Sequence, residues 1–347
     1  MVDRAGRRRG GRAAARAALA VALAALAVGA AAWPAKAHDI GRAEATSYQT
    51  RILRVEPPVR GLSVRPVDAG QRLELTNTTG REVMVLGYAG EPFLRVGPGG
   101  VFENQRSPAS WLGRASSTSA PAQPGPGAVP AWRRVGTGPT VAWHDQRAHW
   151  NGLQDPPQVR AAPRRAHVVV PGWRIELLDG DQRVAVVGDV RWVPAPGPWP
   201  LGTAAALAVV VLAASRHRRW PPLLAGLTAL LVAADVGYTT GSWAATGVSP
   251  AALPAGGVVS LAAWLAGLVA IWRLLGRDPA RAVLSLLLAA LLVTVVSGLG
   301  NLSALRHSQL IVALPDPVAR GLLAITIGLG IGLAVAALLQ VRMLPDR

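Results

Sequence analysis

Five apolar runs, at about 199–215, 221–240, 255–273, 282–300 and 318–341, fill the C-terminal part of the chain. Each is close to the roughly 20 residues that an α-helix needs to cross the ~30 Å hydrocarbon layer of a bilayer. Backbone amides find no water there, so each run must satisfy its own hydrogen bonds as a helix. Residues 199–347 are therefore predicted to form a membrane α-helical bundle of about five spans, with the lipid bilayer as partner. The second run is interrupted near its end by Asp235, Tyr238 and Thr239. A carboxylate inside a span is costly and marks a functional site by default. The alternative is a hydrated Asp235 at the interface. Gly328 and Gly332 have the GxxxG spacing that lets helices approach closely, which points to packing rather than to a pore.

Arginine placement gives the spans a direction. Arg216, Arg218 and Arg219 follow the first run, Arg273, Arg277 and Arg281 the third, and Arg342 and Arg347 the fifth. With five spans these eight share one side, and only Arg306 and Arg320 fall on the other. The positive-inside rule makes the richer side cytoplasmic. The C-terminus is then cytoplasmic, and whatever precedes residue 199 lies outside. Trp199, Trp220, Trp243 and Trp272 lie near run ends, where interfacial anchors belong.

The start of the chain leads to the same expectation. Arg4, Arg7, Arg8, Arg9, Arg12 and Arg16 precede an uncharged stretch, Ala17 to Ala32, and then Trp33-Pro34-Ala35-Lys36-Ala37. A basic region, a short apolar run and an A-x-A site make residues 1–37 a signal peptide cut after Ala37. The competing reading is an uncleaved first span. Cleavage would leave His38 as the mature N-terminus.

Between the signal and the bundle, residues 38–198 read as an extracytoplasmic, all-β, sandwich-like domain. Arg72 to Thr76 alternates apolar and polar, Asn77-Thr78-Thr79-Gly80 reads as a turn, and Glu82 to Leu86 completes an expected hairpin. His167 to Val170, Trp173 to Leu178, Arg183 to Val187 and Val190 to Val193 read as four further strands, with a turn at 179–182. Residues 113–140, rich in Pro, Gly, Ser and Ala, read as a flexible insertion, and 194–198 as a stiff Pro-rich connector.

The formal charge of +17 suggests nucleic acid, but its distribution argues against that partner. Residues 1–37 carry +6 and 199–347 carry +6, leaving +5 on the β-domain, with no basic cluster interleaved with aromatics. The chain has no cysteine, which excludes disulfides, thiolate metal sites and CxxC redox chemistry.

The remaining candidate chemistry lies in the histidines. A free His38 would offer its α-amine and Nδ1 to one metal ion, and nitrogen ligands of this kind suit Cu(II). Trp143-His144-Asp145-Gln146-Arg147-Ala148-His149-Trp150 packs two imidazoles and a carboxylate between tryptophans. On a regular strand His144 and His149 would point to opposite faces about 16 Å apart. Both reach one ion only if the segment bends. Otherwise one joins His38 and the other is structural, or all are packing residues.

These features resemble copper-resistance proteins of the CopC type and CopC–CopD fusions, in which an N-terminal His precedes a β-sandwich with a late Asp/His pair. The resemblance implies Cu(II) at His38, Asp145 and His149 or His144. It departs from the family in spacing: Asp145 and His149 have three residues between them, where the family has a close Asp-x-His. Met84 is the only methionine of the domain, so the methionine-rich segment is missing. Gly87-Tyr88-Ala89-Gly90-Glu91-Pro92 and the Trp-His-Asp segment also resemble a group of actinobacterial membrane proteins. No GxSxG, P-loop, HExxH or strand-linked GxGxxG occurs, so no enzyme is expected. The expectation is a multi-pass cell-membrane protein that binds or delivers copper, or else a non-enzymatic envelope protein with no metal site.

Overall fold

A computed structural model describes residues 45–112, 127–246, 255–276 and 281–343. The expected signal peptide, His38 and residues 113–126 of the expected insertion lie outside the described residues. The described residues divide into two compact units: 45–195 with His307–Ile311, and Pro196–Arg306 with Val312 onward.

In the first unit every strand pairing among the described residues is antiparallel, with a few short helical turns between strands. Its ten strands are β1 (Tyr48–Glu56), β2 (Leu62–Val67), β3 (Arg72–Asn77), β4 (Val83–Leu86), β5 (Pro92–Gly97), β6 (Gly100–Asn104), β7 (Trp132–Gly136), β8 (Thr140–Trp143), β9 (His167–Asp179) and β10 (Gln182–Trp192). They form a seven-stranded sheet, β1-β10-β9-β4-β5-β6-β7, and a three-stranded sheet, β2-β3-β8. Leu73, Leu75 and Trp143 of the small sheet share one buried core with Val83, Val85, Leu94, Val96, Ile175, Leu177, Val184 and Val186 of the large one. Period-two alternation explains this face: in β3 Leu73, Leu75 and Asn77 are buried while Glu74 and Thr76 are not. Burying each such aliphatic side chain contributes about 1.5–3 kcal/mol.

Three strand expectations need correction. Residues 72–86 do not form a hairpin, because β3 pairs with β2 and β8 whereas β4 pairs with β5 and β9. The turn between them carries the chain from one sheet to the other, and Asn77 fixes it. Its amide donates to the Arg81 and Val96 carbonyls, both at 2.8 Å, and its Oδ1 accepts from Thr79 N–H at 3.0 Å. A buried amide with such partners stabilises a crossing that strand pairing cannot. The four late strands are two long ones, β9 and β10, whose pairing register shifts between Gly188 and Val190. The bulge lets one strand run through a Gly-containing break. Finally, β7 lies inside residues 113–140, the stretch expected to be flexible. Its Arg133 and Arg134 read as polar because an edge strand shows them to water.

Among the described residues of the second unit, five helices are long and apolar enough to cross a membrane. Their α-helical parts are α1 (Trp199–Arg216), α2 (Trp220–Thr246), α3 (Ala255–Leu275), α4 (Ala282–Leu292) and α5 (Asp316–Met343), the fourth span reaching its length only over Ala282–Asn301. α4 runs on into a π-helical turn, Val293–Gly298. The glycines of α5 pack as their spacing suggests. A Cβ on Gly328 would lie 2.4 Å from the Ala204 carbonyl oxygen of α1, and one on Gly332 would lie 2.8 Å from Val211 Cβ. Two helix backbones touch there because neither glycine has a side chain. α2 does not end at residue 240 but continues to Thr246, which puts Asp235 inside the helix, fully buried.

Candidate functional site

The Trp143–Trp150 segment leaves β8 and bends at once. Asp145, in extended conformation, caps a single 3₁₀ turn over Gln146–Ala148, and its Oδ1 accepts the Arg147 N–H at 3.1 Å. A short polar side chain at this position satisfies an N–H that the turn leaves unpaired. The bend brings His144 and His149 together, with ring centroids 4.3 Å apart and planes tilted by 35°.

Both rings are held through the same nitrogen. His144 Nδ1 lies 2.8 Å from the Gln71 carbonyl oxygen, and His149 Nδ1 lies 2.6 Å from the Asp145 carbonyl oxygen. A carbonyl only accepts, so each Nδ1 carries a proton, and a ring with one proton there has its lone pair on Nε2. His149 Nε2 is buried without a well-aligned hydrogen-bond partner, although the Gly70 carbonyl is near. Burial lowers the His149 pKa from its ordinary value, and neighbouring His144 lowers it further, against the opposing Asp145 and Gly70 carbonyls and the Asp145 charge. Burial thus favours the neutral form of His149, the form that can donate electron density.

A cavity of about 100 Å³ adjoins His149, lined by Thr46, Tyr48, Thr50, Gln71 and Trp150 among others. The β2–β3 turn supplies its wall. Asp68 and Ala69 have φ of 53° and 57°, and Gly70 N–H donates to Val67 O at 3.0 Å, which is the hairpin turn that needs two left-handed residues. Ala69 holds a conformation that costs a residue with a Cβ about 1–2 kcal/mol. In return the turn delivers the Gln71 carbonyl to His144. Thr50 Oγ1 donates to the Ala148 carbonyl at 2.9 Å and ties β1 to the bent segment.

Asp145 faces another group. Its carboxylate accepts Arg147 Nε at 2.9 Å and Nη2 at 2.8 Å, and Trp143 Nε1 at 3.1 Å. Burial alone would raise its pKa, but the Arg147 guanidinium, helped by Trp143, holds it below the usual carboxylate range. Arg147 also donates to the Gly87 and Leu86 carbonyls, both at 3.1 Å, and lies over the Tyr88 ring at 5.0 Å. Tyr88 Oη in turn accepts the Gln146 N–H at 3.1 Å. The Gly-Tyr-x-Gly-Glu-Pro and Trp-His-Asp segments are thus two halves of one structure. Gly87 is required there, because a Cβ would sit 1.8 Å from Glu91 Oε1. That carboxylate is buried and accepts from Ser107 Oγ at 2.6 Å and from Ala89 N–H at 2.9 Å. Glu91 therefore braces the loop.

Of the expected metal ligands, then, His144 and His149 are brought together, Asp145 is committed to Arg147 and Trp143, and His38 lies outside the described residues. As a donor set the two imidazoles fit a metal. Nδ1–H groups anchored on carbonyls are the usual orienting bonds of ligating histidines, and His149 keeps a buried open nitrogen. The Asp145 carboxylate does not fit, its oxygens being already bonded. Among the described residues no three His, Cys, Asp or Glu side chains converge. Sequence reasoning missed the Gln71 carbonyl and the strained turn that presents it, since neither leaves a residue-type signal. Compared with protein-family models, with curated proteins and with solved structures, the chain finds no match.

Proposed function

We propose that this is a multi-pass cell-membrane protein whose β unit lies outside the cytoplasm and binds copper at the His144–His149 pair. The observation that carries the reading is the pair itself: two adjacent, tilted imidazoles with Nδ1 tied down, and at His149 a buried Nε2 without a hydrogen-bond partner. Two nitrogens of this kind suit Cu(II) over harder cations. A third donor would come from His38, set free by signal-peptide cleavage. Thr46 and Tyr48 line the cavity beside His149. His38 is eight residues before Thr46, a reach of up to about 28 Å in extended chain. In this reading Asp145 acts behind the ligands: its carboxylate sets the bend and its carbonyl orients His149. The C-terminus is cytoplasmic and the β unit performs no catalysis.

A second reading has its own support. Trp143, Asp145 and Arg147 are all engaged in holding the Gly87–Glu91 loop, as they would be in an envelope interaction protein with no metal site. Cu(II) titration of the full-length protein in detergent distinguishes the two, after mass spectrometry has identified its N-terminal residue. Tight binding that weakens at least about tenfold in both His144→Ala and His149→Ala supports the copper site. Weakening on adding one residue before His38 assigns the third donor. Absence of binding, or binding indifferent to both histidine substitutions, leaves the interaction reading.

A further inference from the structure

The second unit buries a carboxyl group that helix packing does not require. Asp235 of α2 has no exposed surface. It follows Trp220 by roughly 22 Å of helix and precedes Thr246 by roughly 16 Å, so neither end of α2 brings it to a bilayer surface. Trp264 of α3 donates its Nε1–H to Oδ2 at 2.7 Å. Ser297, on the π-helical turn after α4, adjoins the same carboxyl. Among the described residues Oδ1 has no hydrogen-bond partner and no cation pairs with the group. Three separate elements thus converge on one acid with an open oxygen.

The surroundings decide what that oxygen takes. A metal cation stripped of water needs several oxygen ligands. Here the carboxyl has a single neighbouring hydroxyl, and its other neighbour is an N–H donor, which repels a cation. A proton needs one lone pair. Other titratable or charged groups on the packed helices are engaged elsewhere. Tyr238, one turn along α2, lies near Arg320 of α5. Arg320 pairs with Asp316 at 3.5 Å and donates to the Ala304 carbonyl. Arg216 and Arg273 are in the last turns of α1 and α3. The π turn adds a second pointer, because it interrupts the regular ladder where Ser297 meets the acid, and such insertions concentrate at functional sites. Thr294 in the same turn fits only because Gly330 has no Cβ, which would lie 2.1 Å from Thr294 Oγ1.

We propose that Asp235 is a proton-binding site inside the helical bundle, taking a proton on Oδ1 and releasing it to water by way of Ser297, with Trp264 holding Oδ2 in place. Binding converts the carboxylate and a hydronium ion into a carboxylic acid and water, and release reverses this. The site is independent of the copper reading.

Dicyclohexylcarbodiimide tests it on the full-length protein in sealed lipid vesicles, since that reagent attacks protonated carboxyl groups in apolar surroundings. After digestion, mass spectrometry locates the adduct. The expected result is labelling at Asp235 that falls away as the bath pH rises, that Na⁺ and K⁺ leave unchanged, and that Asp235→Asn abolishes. Asp316, which is 56% exposed at its side chain, serves as the unlabelled control. Labelling equal at every pH would overturn the proposal by showing an acid that never exchanges. Lack of an Asp235 adduct at any pH, or protection by Na⁺, would overturn it too.

Discussion

Replacing Arg147 by alanine tests the account of the Trp-His-Asp segment most directly. The Asp145 side chain is 2% exposed and that of Arg147 22%. The substitution removes two of the charged bonds on Asp145 and leaves its carboxylate buried, with only Trp143 Nε1 and one backbone N–H. It also strips the donors from the Leu86 and Gly87 carbonyls. Removing one partner of a buried ion pair costs about 3–5 kcal/mol, mostly as the penalty for the charge left behind. Amide hydrogen exchange in the full-length protein, followed in β4 and β8, reads this cost locally. At 1.4 kcal/mol per tenfold, exchange should quicken by roughly two to three-and-a-half powers of ten. The double variant Asp145→Asn with Arg147→Met has no buried charge to strand and still accepts from Trp143, so it should recover part of the protection. Exchange that quickens less than tenfold in Arg147→Ala, or a double variant no better protected than the single one, would refute the reasoning.

Gly87→Ala should destabilise the same loop by about 1–3 kcal/mol, since its Cβ must displace the Glu91 carboxylate, and exchange at β4 and β5 measures it. Asp179 supplies a pH dependence. Arg81, bonded to it through Nε at 2.9 Å, lowers the Asp179 pKa from its ordinary 3.8, against a smaller opposing effect of burial. A carboxyl depressed in the folded state contributes stability that is present above the unfolded value and lost as pH falls through the folded one. Arg81→Gln should therefore weaken β9–β10 protection at neutral pH and flatten its fall on acidification below the ordinary value of 3.8, and an unchanged acid profile would contradict that assignment.

Much of the architecture was legible because hydrophobic periodicity is a local property. The apolar runs of α1 to α5 and the alternation in β3 depend on near neighbours in the chain. Strand partners are not local, which is why a hairpin over 72–86 was a natural but incorrect expectation: the turn residues of 77–80 serve a sheet crossing equally well. The end of α2 was misplaced for a related reason. Asp235, Tyr238 and Thr239 look like an interface when taken alone, and they fit inside a helix only because Trp264, Ser297 and Arg320 meet them from other helices. At the candidate site the residue types were visible and their distribution was not. His144, Asp145 and His149 stood out together, yet the 3₁₀ turn separated the carboxylate from the imidazoles.

The sequence by itself determined that the described residues hold a β unit and five helices fit to cross a membrane, since both follow from how many apolar residues occur and at what period. Only the tertiary structure decided which polar groups are committed and which are open. Asp145 is bonded on both oxygens, whereas His149 Nε2 and Asp235 Oδ1 are buried and unmet. Hydrogen-bond satisfaction depends on distances between elements far apart in the chain, and on the one-residue bends and bulges that set those distances.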